Sequence, residues 1–98
     1  MKICELIQEI DVLQIVGDTQ KAVTDIQFDS RRVQKGSLFV AQVGVHVDGH
    51  NYITSAIEKG AVAVVCEQMP ETIAPNVVYI KTSDSNKALG YIASILYN

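Results

Sequence analysis

The sequence lacks any uninterrupted apolar run of membrane-spanning length, any block of like charge, and any pair of cysteines at ligand spacing. A spanning helix needs about 20 consecutive apolar residues, which excludes a membrane-crossing helix from this stretch of chain. The opening Met1 to Ile10 sets Lys2, Glu5 and Glu9 among its apolar residues, so it reads as neither a secretory signal nor an anchor. Eight basic and 11 acidic residues are scattered along the chain, for a formal charge of −3. That balance offers no footprint for a phosphate backbone or an anionic bilayer, and argues against nucleic acid and membrane as partners. Cys4 and Cys66 each stand alone, with no second thiol nearby to form a metal knuckle or redox pair, which fits a reducing, cytoplasmic setting.

Motifs that carry chemistry are equally scarce. Gly44 and Gly49 have the glycine spacing of a phosphate-binding loop, but His50 and Asn51 stand where the lysine and the magnesium-binding hydroxyl are needed. The dinucleotide fingerprint, the G-x-S-x-G nucleophile elbow and the H-E-x-x-H zinc helix are absent. Nothing in the sequence suffices for catalysis, and no catalytic residue is assigned.

What is present is an ordinary globular pattern. With 98 residues, 48% apolar and 19% charged, the chain suits one small domain and lies far from the composition of disorder. Ile3, Leu6, Ile7 and Ile10 follow the i, i+3, i+4, i+7 spacing of a short helix with one buried face. Leu13 to Val16 and Val23 to Phe28 are strand-like, and the turn-rich Gly17 to Gln20 between them predicts a hairpin or a broken connection. Ser37 to Val43 is a third strand candidate. Next comes Gly44 to His50, a loop framed by two glycines, where the backbone can turn sharply or a ligand can come close. A helix over Asn51 to Lys59 carries Ile53, Ala56 and Ile57 on one side, and Gly60 stands where a left-handed cap is wanted. Ala61 to Cys66 is almost continuously apolar, as a strand buried on both faces requires. Pro70 and Pro75 mark a surface connection to a short strand at Val77 to Ile80. A last helix from about residue 84 to 97 is capped by Ser83 or Asp84 and buries Leu89, Ile92, Ala93 and Leu96. This order of elements predicts an α/β layer with at least part of the sheet parallel.

Several residues admit two readings. His46 and His50 are four apart, but Asp48-Gly49 between them favours a loop over a helix face holding a metal, and no metal ligand is assigned. Asp29 is a possible general base, and more simply the cap of the turn after its strand. Arg31 and Arg32 could grip a phosphate or pair with a neighbouring carboxylate. Cys66, inside an apolar strand, reads as core.

Three pieces in order carry a resemblance. They are Phe28-Asp29-Ser30-Arg31 closing a strand, Lys35 to Ala41, and Gly44-x-x-x-Asp48-Gly49-His50-Asn51-Tyr52-Ile53 running on through Ala56-Ile57 to Gly60-Ala61-Val62-Ala63-Val64. From about Leu13 onward the chain resembles the N-terminal domain of the bacterial Mur ligases, which extend the peptide on UDP-N-acetylmuramic acid. Ala61 to Glu67 and Ser83-Asp84-Ser85 lean toward the branch that adds the third residue, L-lysine or meso-diaminopimelate, over the sister branch that adds D-Ala-D-Ala.

The resemblance implies a small Rossmann-like sheet flanked by helices, with residues 1–98 forming the UDP-sugar-binding domain of a three-domain ligase. Carried over by position, the uridine end of UDP-MurNAc-L-Ala-D-Glu is expected at Phe28, Ser30, Val45, His46 and Val47. Val45 and Val47 would contact it through their backbone. ATP and magnesium would belong to a central domain outside this stretch, against which this domain would pack. A different class, a stand-alone α/β interaction module, is the alternative, since fold alone does not settle function.

Overall fold

A computed structural model of the chain describes residues 1–97. Its centre is a five-stranded sheet in the order β1-β5-β4-β3-β2, built from β1 (Val12–Val16), β2 (Asp25–Gln27), β3 (Ser37–Val40), β4 (Ala63–Cys66) and β5 (Val78–Thr82). β2, β3, β4 and β5 run parallel, while β1 lies antiparallel on β5 with Ile15 opposite Ile80 and Val16 opposite Tyr79.

Alternation along the central strands produces two cores. Leu38 and Val40 of β3, Ala63 and Val65 of β4, and Val78 and Ile80 of β5 face one side, where Ile3, Leu6, Ala88 and Ile92 cover them. Phe39, Ala41, Val64, Cys66 and Tyr79 face the other, against Ile53 and Ala56. The covering helices are α1 (Ile3–Leu6) and α3 (Ser85–Tyr97) on the first face and α2 (Ile53–Glu58) on the second. β3 and β4 are therefore buried on both faces, which is why their sequences read as unbroken apolar runs. The cysteine reading holds here: Cys66 is fully buried.

The hairpin alternative between the first two strands does not form. β1 and β2 lie at opposite edges of the sheet, about 19 Å apart at four strand spacings. The connection Gly17 to Thr24 is eight residues long, enough at about 3.3 Å each to cross that width with a turn from Asp18 C=O to Lys21 N–H inside it. Part of this segment pairs with the chain start instead, through Ile3 N–H to Lys21 C=O and Val23 N–H to Met1 C=O, both 2.9 Å. Those long-range bonds also define α1, which is shorter than its apolar spacing predicts, with Ile10 outside it and only half-buried. The helix expected over Asn51 to Lys59 opens instead with a 3-10 turn at Gly49–Tyr52 before α2. At the far end of α2, Gly60 has φ +114°, and a Cβ there would lie 2.6 Å from Lys35 Cα, so both the cap conformation and the close approach call for glycine. For α3 the cap is Asp84, whose carboxylate accepts from Lys87 N–H at 3.0 Å.

No helix among the described residues is long and apolar enough to cross a membrane.

Candidate functional site

The loops that follow β2 and β3 leave the sheet side by side, at the carboxyl ends of parallel strands. In open α/β sheets that is where ligands are held. Between them lies a cleft of about 540 Å³. Phe28, Asp29, Ser30 and Arg31 form one wall, Gln42, Gly44, Val47 and Gly49 the other, with Phe39 and Tyr52 also in the lining.

Each wall is shaped by the same local device. Asp29, two residues past β2, is still in extended backbone, and its carboxylate accepts from Arg31 N–H at 3.0 Å, capping the 3-10 turn Ser30–Arg32. Asp48 does likewise for His50 N–H at 2.9 Å, capping Gly49–Tyr52. In both, the side chain two residues on returns to the same carboxylate. Arg31 reaches Asp29 with two guanidinium hydrogen bonds, at 3.0 and 2.8 Å, and His50 Nδ1 lies 2.7 Å from Asp48 Oδ1. A carboxylate that accepts several hydrogen bonds is stabilised in its charged form. The Arg31 side chain, then its backbone N–H, hold Asp29 down to about 2. The backbone N–H of His50, then its ring, lower Asp48 as well. Asp29 is thus a turn cap and too weak a base for proton abstraction near neutrality, and Arg31 is engaged with it at the cleft wall.

The glycine-framed loop is a narrow hairpin. Val43 bridges Asp48, and Gly44 N–H donates to Val47 C=O at 2.8 Å, which leaves Val45 and His46 at the tip. Gly49 is buried where the loop returns to β3, with its N–H 2.7 Å from Gln42 C=O. His50 does not point to a metal. Its Nδ1 meets Asp48, and its Nε2 accepts from Glu67 N–H at 2.9 Å and Gln68 N–H at 3.2 Å. Nor is Gly44 to Asn51 a phosphate loop, since its second glycine opens a 3-10 turn whose histidine is already occupied.

Of the five positions expected at a ligand, the structure brings Phe28, Ser30 and Val47 together on the cleft. Val45 and His46 lie outside the cleft lining, exposed at the loop tip, Val45 at 93%. Phe28 and Tyr52 are exposed large side chains on the lining, and the Ser30 hydroxyl has no side-chain hydrogen bond among the described residues. The sequence assigns Gln42, Phe39 and Tyr52 no place at a ligand, and it marks Gly49 only as a frame of the loop. No spacing signal marks Tyr52, which stands four residues before Ala56 and in the 3-10 turn that precedes α2.

A second hollow of about 400 Å³ lies beside the start of α3. It sets Glu9, Asp11 and Asp84 against the single cation Lys87, a poor setting for a pyrophosphate.

Comparison with known proteins gives the family. A model described as "Mur ligase family, catalytic domain" matches residues 22–97. The chain belongs to the Mur ligase family. It is 47% identical over 97 residues to a protein of Parabacteroides distasonis named UDP-N-acetylmuramoyl-L-alanyl-D-glutamate--2,6-diaminopimelate ligase, covering 99% of this chain and 20% of that one. A Phocaeicola vulgatus protein of the same name is 45% identical over 97 residues, again 99% of this chain and 20% of the relative. The chain therefore spans about a fifth of the length of the relatives it matches. Among solved structures, MurF from Acinetobacter baumannii superposes with a TM-score of 0.77 at 22% identity, over 96% of this chain and 20% of that one, a likeness of fold. MurF ligase from Thermotoga maritima, solved with ADP, gives 0.61 at 28% identity over 70% of this chain and 16% of that one.

Proposed function

We propose that residues 1–98 are the UDP-sugar-binding domain of a longer ATP-dependent ligase, and that the cleft between the β2 and β3 loops holds the uridine end of UDP-MurNAc-L-Ala-D-Glu. The ligase would add the third residue of the peptidoglycan precursor in the cytoplasm. Relatives named for 2,6-diaminopimelate favour that amine over L-lysine. ATP and magnesium would be held by a central domain against which this one packs.

The observation that carries the reading is convergence: Phe28 to Arg31 and, from the glycine-framed loop, Gly44, Val47 and Gly49, separate in sequence, line one cleft at the carboxyl ends of parallel strands. Phe28 and Tyr52 offer exposed aromatic surface to a base. The Ser30 hydroxyl and the free amides of the loop offer hydrogen bonds to the uracil edge or the pyrophosphate.

The test is an NMR titration of the chain with UDP, following backbone amides. Shifts should cluster at Phe28 to Arg31 and Gly44 to His50. Losing a direct, partly buried hydrogen bond costs about 1 to 3 kcal/mol, so Ser30→Ala should weaken binding by roughly five- to a hundredfold. Shifts confined to Glu67 to Glu71, or none at millimolar UDP with the fold intact, would sink the assignment.

A further inference from the structure

We propose that His50 is a positioning residue for this cleft: its imidazole ties the Gly44 to Gly49 wall to the end of β4 and so holds the wall in its binding shape. The proposal rests on the nucleotide reading above for its functional consequence, and on the hydrogen-bond geometry for everything else.

The loop has little of its own to hold it. Val43, Val45 and Val47 are all exposed, so no apolar burial fixes its path. Segments ordered only by exposed backbone hydrogen bonds open most readily. His50 is the exception: its side chain is 13% exposed and touches two separate parts of the fold. Asp48 as a carboxylate only accepts, so Nδ1 carries the proton; the Glu67 and Gln68 amides only donate, so Nε2 carries the lone pair. The partners thus select one neutral tautomer, and each ring nitrogen is used.

The tie continues beyond the ring. The Glu67 carboxylate accepts from Ser85 N–H at 2.8 Å and Ser85 Oγ–H at 2.9 Å, at the first turn of α3. Asn86 donates to Val43 C=O at 3.1 Å, a second link from α3 to the same loop. One wall of the cleft is therefore anchored to the end of β4 and the start of α3 through His50 and Asn86.

Three substitutions separate the hydrogen bonds of the two ring nitrogens from the ring's bulk. In His50→Gln the side-chain carbonyl reaches the place of Nε2; in His50→Asn the side-chain N–H takes the place of Nδ1 toward Asp48 and nothing reaches Glu67; His50→Phe keeps the volume and none of the bonds. Amide exchange at Gly44 and Gly49, without ligand, reads the loop, and UDP titration reads the cleft. His50→Asn and His50→Phe should speed exchange at both glycines by about tenfold and weaken UDP by about five- to tenfold, with β3 and β4 amides unchanged, while His50→Gln stays within about twofold of the parent. All three behaving as the parent, or His50→Gln failing as badly as His50→Phe, overturns the proposal. Should the Asn and Phe forms not fold, ring nitrogen spectra of the parent decide. A proton on Nδ1 and a coupling from the Glu67 amide to Nε2 support the tie, and a proton on Nε2 refutes it. If the parent binds no UDP yet the exchange pattern holds, the nucleotide reading falls and the tie stands.

Discussion

Two glycine-to-alanine substitutions should move stability in opposite directions, because the same methyl group meets different surroundings. At Gly49 an added Cβ would lie 2.7 Å from Gln42 N and 3.0 Å from both Ala41 Cα and Ala41 C. These are backbone atoms of the segment leaving β3, so no side chain can swing aside. Relief requires the loop to move off, which stretches the 2.7 Å bond from Gly49 N–H to Gln42 C=O. Overpacking costs about 1 to 3 kcal/mol and the weakened hydrogen bond about 1 more. The stiffer unfolded chain returns about 0.4 to 1 kcal/mol. Gly49→Ala should therefore destabilise by about 2 to 3 kcal/mol, roughly 10 to 20 °C in Tm for a domain of this size. At Gly90, inside α3 and exposed, nothing lies within 4 Å of the added Cβ. There the better helix propensity of alanine should stabilise by about 1 kcal/mol, or roughly 4 to 8 °C. Thermal melting of both variants by circular dichroism is the assay. A Gly49→Ala protein melting with the parent would show that the loop yields without resistance, and the account of the cleft wall as a fixed surface would be wrong.

Two further outcomes concern titratable groups. Asp29 is held down to about 2 by Arg31, below its ordinary 3.8, so the pairing's contribution to folding is present above about pH 4 and is lost as pH falls through about 2. Its carboxyl carbon should titrate near that value by NMR and move back toward 3.8 in Arg31→Ala; a parent midpoint near 4 would dismiss the pairing. Burial pushes the Cys66 thiol up to about 11, whereas Cys4 is only half-buried. A thiol reagent at pH 8 should modify Cys4 in the folded chain and Cys66 only after denaturation, and rapid loss of both thiols would contradict the core packing.

Much of the fold was legible because the central elements follow one-dimensional rules. β3 and β4 are apolar on both faces and announce a buried parallel pair, and Gly60 after Ile57 announces the end of a helix. The edges were less legible. Val12, Leu13 and Ile15 carry the same strand signal whether they pair with the next strand or with β5, more than 60 residues on. Nothing local distinguishes these outcomes, since the choice depends on which sheet edge remains open once β5 is laid down. α1 shows the reverse case, a regular apolar spacing from Ile3 to Ile10 that yields a four-residue helix. Short helices are held by their tertiary partners, here Thr19, inside the segment the sequence marks only as a turn, and Lys21, just after it.

The site was legible as segments and not as side chains, for a related reason. Phe28 to Arg31 and the glycine-framed loop could be named because each sits at a strand end with turn chemistry of its own. Which of their residues face inward depends on how the two turns close, and that is set by Asp29 and Asp48. Reading Asp29 as a cap was correct, yet the cap is also what gives the wall its functional shape: by binding Arg31 it turns the chain and sets Ser30 on the cleft. The same logic at Asp48 turns Gly49 inward and sends His50 toward Glu67, leaving Val45 and His46 at a tip closed by Gly44 and Val47. A carboxylate two residues before a long cationic or aromatic donor thus builds each wall of this cleft. It follows that Asp48→Asn, which keeps an oxygen for the His50 amide, should disturb the wall less than Asp48→Ala, which removes both the cap and the partner of the ring.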